Sequence, residues 1–130
     1  MIKGVSFIDP NILWAEIEFK NEIPAGGNVA MKEYLKRFID EASNDGRKMF
    51  VHFCTSLVNM RCDGKLYNSK TDKIEPIKIF FLGVEQEVKI FGHTCFFTMD
   101  LGVAFKDYEE FAKQLGFVLR EDFVGGFESA

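Results

Sequence analysis

Apolar and polar positions alternate along this chain with two different periods. Met31, Tyr34, Leu35, Phe38, Ile39 and Ala42 recur at helical spacing, and Lys32, Glu33, Lys36, Arg37, Asp40 and Glu41 fill the opposite side. A stripe at i, i+3, i+4 and i+7 is the mark of an amphipathic helix. A helix is therefore predicted from about 28 to 43, capped by Asn28 and ended by Gly46. A second helix is predicted over roughly 106–115. Its inward side would be Tyr108, Phe111, Ala112 and Leu115, with Gly116 just past its end.

Elsewhere the period is two. Leu13, Ala15, Ile17 and Phe19 alternate with Trp14, Glu16, Glu18 and Lys20, which predicts a half-buried strand over 12–20. Asp9-Pro10-Asn11 reads as the turn joining it to a first strand at 2–8. Further strands are predicted at 47–55, 57–62 and 65–67, with Asp63-Gly64 as a hairpin turn. Pro76 opens another, with Ile77, Ile79 and Phe81 on one face. Residues 87–99 form the last long strand, bulged at Gly92, and 117–119 a short edge strand. These elements predict an α+β fold: an antiparallel sheet of about six to eight strands with two helices packed on one side. Residues 1–124 would form a single domain, and 125–130, from Gly125-Gly126 onward, a frayed tail.

Composition sharpens this only in part. The chain has 130 residues, 47% hydrophobic and 28% charged, as expected of one globular domain. Fifteen phenylalanines call for a thick core or a sheet around an apolar cavity. Phe50, Phe53, Phe80, Phe81, Phe91, Phe96 and Phe97 are the candidate walls. The opening Met1-Ile2-Lys3-Gly4-Val5 predicts no secretory leader, and no apolar run reaches membrane length. Three cysteines without such a leader point to reduced thiols in a cytoplasm.

The candidate chemistry centres on a repeated pattern. Lys48-Met49-Phe50-Val51-His52-Phe53-Cys54 returns as Lys89-Ile90-Phe91-Gly92-His93-Thr94-Cys95. Residues i and i+2 of a strand share a face. Two neighbouring strands in register would thus bring His52, Cys54, His93 and Cys95 together. Two imidazoles and two thiolates could hold zinc. However, His-x-Cys is not a usual ligand spacing, and the chain is long enough to fold without metal. No metal and no cofactor is expected. A cysteine nucleophile would need a base such as His93 and an orienting acid such as Asp100. A pocket for an apolar ligand near these residues is the alternative functional expectation.

Charge points elsewhere. Residues 100–130 hold seven acids against three bases, which accounts for the whole net charge of −4. No basic run suits nucleic acid. The acidic end mixes carboxylates with aromatic rings: Tyr108, Glu109, Glu110, Glu121, Asp122 and Phe123. Aromatic groups populate interface cores, and charge of one sign steers an opposite partner. The sequence thus predicts a small acidic protein-binding module, of inhibitor or adaptor type, that acts on a protein with a basic surface.

Overall fold

The computed structural model describes residues 7–21, 27–57, 64–82, 90–102 and 105–127. Helix α1 (Pro10–Ala15) leads into strand β1 (Ile17–Phe19), followed by α2 (Gly27–Glu41) and α3 (Asn44–Thr55). A small hairpin, β2 (Tyr67–Asn68) and β3 (Lys73–Ile74), precedes β4 (Ile77–Phe81). Strand β5 (Ile90–His93) and a 3-10 turn at Thr94–Phe96 lead to β6 (Thr98–Leu101), and α4 (Tyr108–Phe127) follows.

The main sheet is mixed, in the order β1-β4-β6-β5. Strand β4 lies parallel to both β1 and β6, and only the β5–β6 pair is antiparallel. The α+β class holds, but the sheet has four strands plus a separate two-stranded hairpin. The physical reason is the connection from β1 to β4. It passes through two helices, and such a crossover returns the chain parallel.

Four predicted strands differ. Residues 47–55 lie within α3, and 117–119 within α4. Most of 12–20 divides between α1 and β1, because Asp9-Pro10 starts a helix rather than a turn. The Asp9 carboxylate accepts the backbone N–H groups of Asn11 and Ile12 at 2.7 and 3.3 Å. Pro10 takes the first helical position, where no N–H is needed. Most of the predicted strands 2–8 and 57–62 falls outside the described residues. The predicted strand 87–99 is broken at its end by the 3-10 turn, where Phe97 adopts φ 54° and the chain reverses into β6.

Helix α2 ends at Glu41, and Gly46 lies inside the next helix, whose cap is Ser43. The Ser43 hydroxyl accepts the Gly46 N–H at 3.1 Å. The α2–α3 corner is held by Arg47, a buried cation. Its guanidinium donates to the carbonyls of Ile39, Ile8 and Asp40 at 3.0, 3.3 and 3.4 Å. Two of these acceptors belong to the last turn of α2, where carbonyls lack partners within the helix.

One face of the sheet meets the helices. Ile77, Ile79 and Phe81 of β4 and Met99 and Leu101 of β6 join Leu35, Ile39, Phe50, Phe111 and Leu115 in one core. Cross-strand register places Phe80, Asp100 and Phe91 in one row of the other face, and Lys78, Thr98 and His93 in the next. Phe80 and Phe91 are exposed there. So the phenylalanines do not wall one cavity: Phe50, Phe81 and Phe97 are core, and Phe80, Phe91 and Phe96 face water.

Candidate functional site

The two His-x-Cys pairs do not form a common site. On α3 residues i and i+2 diverge, so His52 and Cys54 point apart. Cys54 is fully buried. Burial pushes its thiol far above the ordinary range, and the Asp122 carboxylate adds to this. Such a thiol stays protonated and is a poor nucleophile. His52 instead reaches α4, with Nδ1 2.8 Å from Asp122 Oδ2.

The second pair lies in the open. Cys95 is exposed in the 3-10 turn. His93 lies on the solvent face of β5, with Nε2 2.8 Å from Asp100 Oδ2. Asp100 therefore does orient an imidazole. Yet among the described residues the Cys95 thiol has no hydrogen bond to that ring, and the contact of Cys95 is its carbonyl, which accepts from Asn68 Nδ2 at 3.1 Å. No group of three or more metal-ligating side chains occurs among the described residues.

The acidic set lies along α4, where its members have different tasks. Asp107 precedes the helix and accepts the Glu110 N–H at 2.9 Å, and Glu110 reaches back to the Lys106 N–H at 2.6 Å. This is a reciprocal N-terminal capping arrangement. Glu110 thus begins the helix, and Asp122 ties it to α3. Tyr108 packs edge-on to Tyr34 and carries the Arg37 guanidinium 4.0 Å above its ring. Its hydroxyl donates to Glu41 Oε1 at 3.2 Å. Burial first, and the Glu41 carboxylate second, push this phenol above its ordinary range.

Glu109, Lys113, Phe117 and Glu121 are four residues apart and all exposed, so they form one outer stripe, with Arg120 beside it. Phe117 lies at its centre, 58% exposed. The exposed surface along this part of α4 is formed by Tyr108, Glu109, Lys113, Phe117 and Arg120 among others. Phe123 lies one turn further along the helix backbone. Phe117, predicted for an edge strand, lies in α4 instead. The signal that places it outside is the spacing of Phe111, Leu115 and Leu119, which continues the buried stripe through Gly116.

A concavity of about 350 Å³ lies between α2, α3 and α4. It ends one turn short of the His52–Asp122 contact, since Met49 and Leu119 line it. No protein-family model matches the chain, and no curated protein matches it. No helix among the described residues is long and apolar enough to cross a membrane.

Proposed function

We propose that this protein acts by binding another protein, as an inhibitor or adaptor of a partner with a basic surface, through the outer stripe of α4. The observation that supports this is Phe117. A ring 58% exposed at the centre of a charged helix stripe is the kind of group that anchors interfaces. Glu109, Lys113, Arg120 and Glu121 form a polar rim around it. Their charges balance, so attraction to a basic partner rests on the chain's net charge of −4, which steers encounter at long range. Tyr108, Glu110 and Asp122 contribute by holding the helix in place.

The test is affinity capture from the cells that make the protein, at low and high salt. The wild type is expected to retain a specific protein that high salt releases. Phe117→Asp should lose it, and Glu109→Lys with Glu121→Lys should weaken it. Glu110 and Asp122 are left unchanged because their loss would disturb the helix itself. A partner held equally by all variants and at every salt concentration would refute the proposal.

A further inference from the structure

The groove between α2, α3 and α4 has the composition of a small-molecule site. Its volume of about 350 Å³ lies within the range of ligand pockets, roughly 300–1,000 Å³. Phe38, Met49, Ala112 and Leu119 give it an apolar floor. Two glycines keep it open. A Cβ at Gly46 would lie 3.2 Å from Ala42 Cβ, and one at Gly116 would lie 3.4 Å from Arg120 Nη1. The second distance also shows that the Arg120 guanidinium folds back over the groove.

The rim carries two kinds of charge. Glu41 is already balanced: Arg37 Nε lies 2.9 Å from it, and the Tyr108 hydroxyl donates to it. One face of the Tyr108 ring is covered by the Arg37 guanidinium. Arg120 is different. Residues three and four positions away on the helix are Gly116, Phe117, Phe123 and Val124, none of them acidic. Among the described residues its guanidinium has no ion pair and no hydrogen bond. The groove therefore combines an apolar floor with one unbalanced positive charge.

We infer that this groove binds a small apolar carboxylate, with its hydrocarbon body on Phe38, Met49, Ala112 and Leu119 and its carboxylate paired with Arg120. A guanidinium matches a carboxylate with two parallel hydrogen bonds. The inference goes beyond the protein-binding proposal and does not depend on it.

Decanoate, used below its micelle concentration, is the probe. Titration followed by calorimetry and by the methyl resonances of Met49 and Ala112 should give one saturable site. Arg120→Glu, a surface change, should weaken binding at least about tenfold. Gly116→Leu should fill the groove and abolish binding while circular dichroism stays helical. Decylammonium, of the same length and opposite charge, should not compete. The inference is overturned if decanoate fails to saturate, if Arg120→Glu binds it as tightly as the wild type, or if decylammonium competes equally.

Discussion

Lys48–Cys54 and Lys89–Cys95 share four of seven residues at matched positions, but they fold in opposite ways. The first copy lies in α3, with Phe50, Val51 and Cys54 in the core. The second covers β5 and the 3-10 turn, with Phe91 and Cys95 in water. The residues that differ explain the outcome. In the first copy Arg47, Phe50, Val51 and Cys54 form an i, i+3, i+4, i+7 stripe behind the Ser43 cap. In the second the matching stripe is Val88, Phe91, Gly92 and Cys95, and the cap position is Val84. A helix there would have no cap and would bury a glycine where Val51 packs. As a strand, Gly92 has a use. It faces α3, and a Cβ on it would lie 2.5 Å from the Phe53 carbonyl oxygen. The first copy thus rests on the second at the point where the second lacks a side chain. Shared residues carry little structural information when the positions between them decide the period.

The largest expected contrast is between the matched phenylalanines. Phe50 is fully buried, so Phe50→Ala should destabilise the protein by about 3–5 kcal/mol. Phe91 is 48% exposed, so Phe91→Ala should change stability by only about 0.5 kcal/mol. Urea denaturation of the two variants measures the difference. Similar losses would mean that the copies are not environmentally distinct.

The matched cysteines separate by pH. The folded state holds the Cys54 thiol pKa above its unfolded value. Stability from this source is therefore complete below about pH 8.5 and is lost as pH rises, because the unfolded chain releases its thiol proton first. The slope can reach about 1.4 kcal/mol per pH unit. Cys54→Ala should flatten the decline between pH 8.5 and 10, and Cys95→Ala should leave it unchanged. Equal slopes in both variants would place the two thiols in equivalent surroundings.

The part of this contrast that the sequence carried is uneven. Helix α2 was legible because Met31, Leu35 and Ile39 repeat without interruption, and β4 because Ile77, Ile79 and Phe81 alternate with Lys78 and Phe80. Helix α3 was not. Its stripe is complete only when Arg47 is counted inward, and a cation is ordinarily placed in water. Its burial depends on carbonyls from Ile39, Asp40 and Ile8, which only the folded chain brings together. The end of α4 was obscured by Gly116, which resembles a terminator but precedes the continuing Leu119. Of the candidate site, the residues of α4 were legible as an acidic, aromatic set. That Glu110 and Asp122 have structural contacts while Phe117 faces solvent follows from helix phase and tertiary contact.

The smallest contrast concerns the histidines. The His52–Asp122 contact joins α3 to α4 with the imidazole mostly buried. His52→Ala should therefore cost about 1 kcal/mol. The His93–Asp100 pair lies in solvent, and His93→Ala should cost about 0.5 kcal/mol or less. Denaturation at pH 7 resolves the two. A greater loss from His93→Ala would contradict the assignment of His52 as the interhelical tie.

Of the exposed rings, Phe117 on α4 and Phe91 on the open face of the sheet make a direct pair of rival anchors, one from each layer. Their aspartate variants can be compared directly, because neither side chain belongs to the core and both proteins should fold. Binding of the captured partner to Phe117→Asp and to Phe91→Asp, measured side by side with the wild type, tests which layer of the molecule makes the contact. Phe117→Asp should lose the partner and Phe91→Asp should keep wild-type affinity. Retention by Phe117→Asp with loss by Phe91→Asp would contradict it and move the site to the sheet face beside His93 and Asp100.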